Sequence, residues 1–328
     1  MILSRAPTRI TLGGGGTDFA SYYARYGGFL IAAGINKYCT ILANRRFYDS
    51  IRLSYSEMEI IDSVEDIKHR IFKAALKLLD IEKGIEIHSA ADVPAGCGLG
   101  TSSSFTVALL NALHAYKKEF LTQRQLAEES CHIEIDLLGE PIGKQDQYIA
   151  AFGGLTCLTF GKNGEVIVEP LRMSNEAIEQ LESSLVLFFT GQERSASEIL
   201  AEHDRKSQKD DPIMIQNLHQ IKEIGLETRK QLEKGNIDKL GELFQVHWET
   251  KKKRSANISY PFVDECYEVA CKNGAVGGKL IGAGGGGFLM FYCNNNDKPR
   301  VIAAMQKMGL RWERFHFDFD GAKILVNT

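Results

Sequence analysis

Between Pro94 and Ser104 the chain reads Pro-Ala-Gly-Cys-Gly-Leu-Gly-Thr-Ser-Ser-Ser, with glycines at alternate positions followed by four hydroxyl side chains. Before it lies a β-branched run, Ile85 to Ser89, and after it an apolar helical stretch, Ser103 to Tyr116. A strand, a glycine turn and a helix in that order aim unpaired N–H groups, and the positive end of the helix dipole, at an anion. Glycine at Gly96, Gly98 and Gly100 lets the backbone come close to such a ligand. The hydroxyls of Thr101, Ser102, Ser103 and Ser104 fall in the first helical turn, within reach of a phosphate oxygen or a magnesium ion. The competing reading is a serine-capped turn with no ligand. No Lys-Ser or Lys-Thr closes the segment, so it is not a Walker A loop, and its glycine spacing does not match the dinucleotide fingerprint. The counter-charge has to come from elsewhere in the chain.

At 328 residues, 44% hydrophobic and 25% charged, the chain is longer than one hydrophobic core usually serves, which predicts two lobes. A formal charge of -3 leaves no broad basic field, which argues against nucleic acid or an anionic membrane as partner. The segment from Met1 to Pro7 lacks the order of a signal peptide, and no apolar run reaches membrane-spanning length. Seven cysteines are scattered without CxxC pairing, which fits a reduced, cytoplasmic setting. The eight histidines form no constellation and read as structural or surface residues.

Punctuation along the chain predicts strands at Ile35 to Ala43, Ile51 to Tyr55 and Ile85 to Ser89, and a helix from Ile67 to Leu79. Thr122-Gln123-Arg124-Gln125 is a capping box opening a helix that ends near Gly139-Glu140-Pro141. Lys162-Asn163-Gly164 reads as a hairpin turn, and the lobe change is placed beside it, dividing the chain into residues 1–165 and 166–328. The second half shows a strand at Leu185 to Phe189, and helices at Pro212 to Leu232, Ile237 to Lys252 and Arg300 to Met308. Further strand signals lie at Gly287 to Tyr292 and Phe315 to Phe319. The pattern is α+β in two lobes.

Three segments together resemble the GHMP kinase superfamily. They are Ala6-Pro7-Thr8-Arg9-Ile10-Thr11-Leu12-Gly13-Gly14-Gly15-Gly16-Thr17-Asp18, the loop at Pro94, and Lys279-Leu280-Ile281-Gly282-Ala283-Gly284-Gly285-Gly286-Gly287-Phe288. Within the superfamily the strings Gly14-Gly15-Gly16-Thr17-Asp18, Ile133-Glu134-Ile135-Asp136 and Gly143-Lys144-Gln145-Asp146-Gln147-Tyr148 resemble D-glycero-D-manno-heptose 7-phosphate kinases. So does Thr190-Gly191 followed by Arg194-Ser195-Ala196-Ser197-Glu198. Galactokinases carry Glu-His where this chain has Gly15-Gly16, a departure that argues against galactose. The resemblance implies a ribosomal-protein-like β-α lobe followed by a ferredoxin-like lobe, with ATP, Mg2+ and a sugar phosphate meeting between them. It implies transfer to the anomeric C1 hydroxyl of the heptose phosphate. The alternatives are another sugar-1-kinase, such as an L-fucose kinase, and a non-catalytic sensor built on a galactokinase scaffold.

Roles follow residue by residue. The resemblance makes Asp146 the group facing the acceptor hydroxyl and Arg9 its partner at the transferring phosphoryl; a turn-forming aspartate is the alternative for Asp146. Glu134 shares a helix face with Leu126, Ser130 and Leu138, opposite the polar side that carries Asp136, Glu129 and His132. An inward carboxylate needs neutralising, and the family pairs it with Ser102 around Mg2+; a salt bridge is the alternative. Asp18 is expected to hold sugar hydroxyls, or else to cap the helix entered at Phe19. Gly15, Gly16, Thr17 and Gly143 complete the expected sugar side, and Pro94, Gly96, Gly98, Leu99, Gly100 and the four hydroxyl residues the expected nucleotide side. Lys144 and Arg194 are the first candidates for the sugar phosphate. Lys251-Lys252-Lys253-Arg254 reads as a solvated helix end, with Lys253 or Arg254 in reserve for phosphate. The glycines of Gly282 to Gly287 are expected to shape a tight turn under the first loop rather than touch ligand.

Overall fold

The computed structural model describes residues 1–191, 196–255 and 258–328 and, for 196 and 197, the backbone alone. A long antiparallel ribbon, β1 (Ile2–Gly13) against β2 (Gly28–Arg45), is the spine of the first sheet. β3 (Ile51–Ser54), β4 (Met58–Ile61) and β5 (Ile85–Ala91) extend it on one side, and β12 (Lys323–Asn327) returns to its other side, in the order β12-β1-β2-β5-β3-β4. β6 (Leu155–Phe160) pairs with the first part of β2, and β7 (Val166–Pro170) pairs with β6 across the predicted Asn-Gly turn. The first sheet therefore draws strands from both sides of the cut expected after residue 165. Between Pro7 and Thr8 the β1–β2 register shifts, because β2 carries Asn36 and Lys37 as extra residues between the partners of Pro7 and Thr8. Such a bulge bends and twists the ribbon just before Arg9.

Helices cover this sheet. α1 (Ala20–Tyr26) follows the first glycine cluster, and α2 (Arg70–Leu78) is shorter than its apolar spacing predicted. His69 caps α2, accepting from Phe72 N–H at 3.4 Å, and Val64–Asp66 forms a separate 3-10 turn. α3 (Thr101–Tyr116) packs across β1 and β2 through the fully buried Val107, Leu109, Leu110 and Leu113. The capping box opens α4 (Gln123–Cys131), with Thr122 Oγ1 accepting from Gln125 N–H at 3.2 Å and the Gln125 side chain accepting from Thr122 N–H at 3.0 Å. That helix then loosens into a π-turn, His132–Leu137, before α5 (Gln145–Phe152).

α6 (Asn175–Ser184) leads into the second sheet, built from β8 (Leu185–Phe189), β9 (Ala275–Leu280), β10 (Phe288–Cys293) and β11 (Arg311–Glu313). Its order is β11-β8-β10-β9, and every pair is antiparallel. Strand, helices, two strands, helix and strand in that order is a ferredoxin-like path, as expected. α7 (Ala196–Gln208), α8 (Pro212–Glu233), α9 (Lys239–Lys252) and α10 (Pro261–Lys272) lie between β8 and β9, and α11 (Lys298–Lys307) between β10 and β11. The segment Phe315 to Phe319 is not a strand. It makes one bridge, Ile35 to Phe317, and its alternation arises because Phe315 and Phe317 both enter a core. That core joins Ile10, Phe29 and Leu155 of the first sheet to Phe244 and Met290 of the second lobe. Among the described residues no helix is long and apolar enough to cross a membrane.

Candidate active site

Gly96, Gly98 and Gly100 all take positive φ, at 75°, 84° and 76°, so the loop bends in ways that other residues resist. Gly100 is the N-cap of α3, and no side chain caps that end, which leaves its first N–H groups facing a cavity of about 490 Å³. Gly98 lies against the second lobe, since a Cβ there would sit 2.7 Å from the Ile281 carbonyl oxygen. A Cβ on Gly287 would sit 2.0 Å from the carbonyl of Cys97. The third glycine segment thus shapes the seat of the first.

Not every expected nucleotide residue lines that cavity. Gly96, Gly98, Gly100, Thr101, Ser102 and Ser103 do. Leu99 is buried in the apolar core, and the Ser104 hydroxyl donates to the carbonyl of Pro7 at 2.7 Å. Pro94 stands outside, its carbonyl accepting from the Thr101 hydroxyl at 3.1 Å.

Against the loop itself Arg9 and Asp146 meet as a fork, with Nε to Oδ1 at 2.7 Å and Nη2 to Oδ2 at 2.8 Å. The remaining arm of Arg9 donates to the Gly98 carbonyl, so the glycine loop and the ion pair are tied together. Asp146 lies in the first turn of α5, where an acidic residue is favoured by the helix dipole. It is therefore not the free turn residue that the Pro141 break also allowed.

Glu134 sits in the π-turn and is 1% exposed. Its carboxylate accepts from Ser102 Oγ at 3.0 Å and from Gln147 Nε2 at 2.7 Å, and among the described residues no cation pairs with it. Burial pushes its pKa up to about 7. Asp136 pairs with His132 at the surface, as the helical register predicted. Among the described residues no three His, Cys, Asp or Glu side chains gather at metal spacing. Two hard oxygen donors beside a phosphate seat nonetheless suit Mg2+, which completes its shell with water and phosphate oxygens.

Asp18 does not cap α1, whose N-cap Phe19 lacks a side-chain bond. Its carboxylate accepts from Gly16 N–H at 3.0 Å and Gln145 N–H at 3.2 Å, which fixes the residue next to Asp146. Burial, and then the charge of Asp146, push its pKa up to about 6. Thr17 is structural: its hydroxyl donates to the Gly14 and Phe29 carbonyls, each at 2.9 Å. Lys144 turns away from the cleft toward Glu128 at 3.5 Å and the Gly164 carbonyl at 3.3 Å. Arg194 lies outside the described residues.

A second cavity, of about 50 Å³, adjoins Gly15, Gly16 and Gln145 and shares the wall Gly282–Ala283 with the first. The basic cluster expected to be solvated splits here. Lys253 is exposed, whereas Lys251 and Arg254 are 6% and 7% exposed and line this cavity together with Lys279, His203 and His247. Arg254 donates to Asn217 Oδ1 at 2.6 Å and to the Gly15 carbonyl at 3.4 Å. Lys251 donates to the carbonyls of Leu280 at 3.0 Å and Gly282 at 2.6 Å, and Lys279 to that of Leu12 at 3.1 Å. Burial, and then Arg254, press the Lys251 ammonium down to about 7. His203 and His247, read from sequence as structural or surface residues, belong to this group. A signal was available: His247, Lys251 and Arg254 continue the stripe of the buried Leu240 and Phe244, so the polar residues lie on the inward face of α9.

Models of the GHMP kinase N-terminal and C-terminal domains match residues 67–154 and 228–310. The chain is 33% identical over 334 residues to D-glycero-alpha-D-manno-heptose 7-phosphate kinase of Campylobacter jejuni, with 98% of each chain covered. A crystal structure of a D-glycero-D-manno-heptose 1-phosphate kinase from Bacteroides thetaiotaomicron superposes with TM-score 0.82 at 30% identity, over 99% of both chains. An L-fucokinase/L-fucose-1-P guanylyltransferase of Bacteroides fragilis is 27% identical over 94% of this chain and 36% of its own length. The chain belongs to the GHMP kinases. Within them it is an ATP-dependent sugar kinase.

Proposed function

We propose that the protein transfers the γ-phosphoryl of ATP to the anomeric C1 hydroxyl of D-glycero-D-manno-heptose 7-phosphate, giving the 1,7-bisphosphate. The observation that carries this reading is the Arg9–Asp146 fork in the glycine-loop cavity, which shares the wall Gly282–Ala283 with the cavity beside Gly15 and Gly16. The name of the Campylobacter relative supports the choice of sugar. So does Gly16, where a side chain, such as the one galactokinases carry, would strike Arg254.

In this reading the N–H groups at the start of α3 hold the ATP phosphates. Ser102 and Glu134 hold Mg2+, which when bound offsets phosphate charge. Asp146 accepts the proton of the C1 hydroxyl, or orients that hydroxyl, as its oxygen bonds to the γ-phosphorus and the bond to the ADP oxygen breaks. Arg9 holds Asp146 in place and offers its guanidinium to the charge spread over the transferring oxygens. Asp18 positions Gln145, and through it Asp146, against the sugar. Dependence on ATP and the free thiols of all seven cysteines fit the cytoplasmic setting expected from sequence.

The test is ADP release from ATP and magnesium across a panel of free sugars and sugar phosphates, with the product located by phosphorus NMR. Heptose 7-phosphate is expected to lead and to gain a C1 phosphate. Equal or better turnover of free L-fucose or galactose sinks the substrate and leaves the kinase.

A further inference from the structure

The small cavity holds more positive charge than the phosphoryl transfer described above uses. Arg254, Lys251 and Lys279 reach it from the end of α9 and from β9, while His203 Nε2 and His247 Nδ1 find no hydrogen-bond partner among the described residues. All five side chains are more than nine-tenths buried. Among the described residues none of the three cations reaches a carboxylate at ion-pair distance. Their hydrogen bonds go to backbone carbonyls and to the amide of Asn217. Gathering three like charges away from water is costly unless an anion enters between them. A volume of about 50 Å³ suits a small tetrahedral oxyanion, since one water occupies ~30 Å³ of liquid.

The surroundings point the same way. Gly16 sits at φ 97°, and a Cβ there would lie 2.7 Å from Arg254 Nη1, so the absence of a side chain keeps the guanidinium open to the cavity. Gln145, which lines the cavity, is followed directly by Asp146, and Thr11 Oγ1 fixes the Gln145 side chain at 2.8 Å. The group at the acceptor hydroxyl and a wall of this cavity are thus consecutive residues of α5.

We propose that the cavity binds the phosphate already present on the acceptor sugar, a phosphomonoester dianion, with Arg254, Lys251 and Lys279 as charge partners and His203 and His247 as N–H donors. This rests on the sugar-phosphate reading above and assigns the residues that distinguish phosphorylated from free sugar. Arg254 and Lys251 thereby take the part that Lys144, facing Glu128, does not.

Two measurements test it, in wild type, Arg254→Gln and Lys279→Met. In the first, kcat/KM is measured for heptose 7-phosphate and for unphosphorylated heptose. The ratio of the two is expected to fall by ~10²-fold or more in either variant, with the loss in KM of the phosphorylated sugar and the KM of ATP retained, because a charge-assisted pair to phosphate is being removed. An unchanged ratio overturns the assignment. In the second, inorganic phosphate at tens of millimolar is expected to raise the melting temperature of wild type by several degrees, and of neither variant. It should also compete with the sugar phosphate and not with ATP. Competition against ATP alone places the anion in the glycine loop and overturns the assignment. Should free sugars prove the better substrates, the heptose-phosphate reading fails, and the phosphate melt then decides the pocket by itself.

Discussion

Gly143 and Asp18 touch so closely that a Cβ built on Gly143 would lie 1.9 Å from Asp18 Oδ2. The contact clamps the loop that enters α5 onto the carboxylate that also holds Gln145 N–H. Gly143→Ala is therefore expected to displace Asp146 by a fraction of an ångström to an ångström. A shift of that size lowers kcat/KM for the sugar by up to ~10²-fold. ATP affinity should hold, because the glycine loop keeps its seat against Ile281 and Gly282 of the second lobe. Steady-state kinetics in each substrate checks this, and an equal loss for ATP would contradict it.

Asp146→Asn keeps the shape of the side chain but removes its basicity and half of its fork with Arg9. Turnover is expected to fall ~10² to 10⁴-fold with nucleotide binding retained. Arg9→Lys should fall in the same direction, since one ammonium cannot reproduce a two-pronged bond. Single-turnover rates beside a nucleotide titration measure both effects; near-wild-type rates would remove the pair from the chemistry.

Glu134→Gln tests the magnesium seat. The variant is expected to need at least ~10-fold more magnesium for half-maximal rate, while its affinity for nucleotide in EDTA stays put. Identical magnesium curves would mean that the carboxylate serves only Ser102 and Gln147.

Asp18 gives a pH signature. Its folded pKa, about 6, stands above the ordinary aspartate value of 3.8, so the folded protein binds the proton more tightly than the unfolded chain. Its contribution to stability is fully present below 3.8 and is lost as pH rises through 6. Asp18→Asn does not titrate, so its stability relative to wild type should improve by about 2 kcal/mol between pH 4 and pH 8, the part of a two-unit shift at about 1.4 kcal/mol per unit that is titrated above pH 4. Urea midpoints at the two pH values read this out. A constant difference would show that the carboxylate is not held against its charge. Sugar turnover should fall in the same variant, because burial of that charge fixes Gln145.

The strand, glycine and helix grammar around Pro94, the capping box at Thr122 and the Asn-Gly hairpin were all legible, because each is decided by residues close in sequence. Arg9, Asp146 and Ser102 were found through motif order and Glu134 through its helical register, and the structure brings the four to one cavity. Lys144 misled because proximity to Asp146 in sequence says nothing about which way a side chain leaves a helix end. Lys251 and Arg254 were misplaced for the opposite reason. Four adjacent basic residues look like a wet helix terminus, and only the inward stripe of α9 separates the two buried ones from Lys252 and Lys253. Lys279 and His203 reach the same cavity from elements far apart in the chain, which spacing alone does not reveal.

The glycine seam between Gly98 and Ile281–Gly282, together with the core that runs from Ile10 to Phe244, also bears on how substrates come and go. Swinging the lobes apart would wet Ile281, Phe288 and their neighbours at about 1.5 to 3 kcal/mol for each large side chain. That cost opposes a hinge between the lobes. Entry and exit then belong to loops at the rim, and turnover should respond to solvent viscosity and loop sequence more than to any change at the seam.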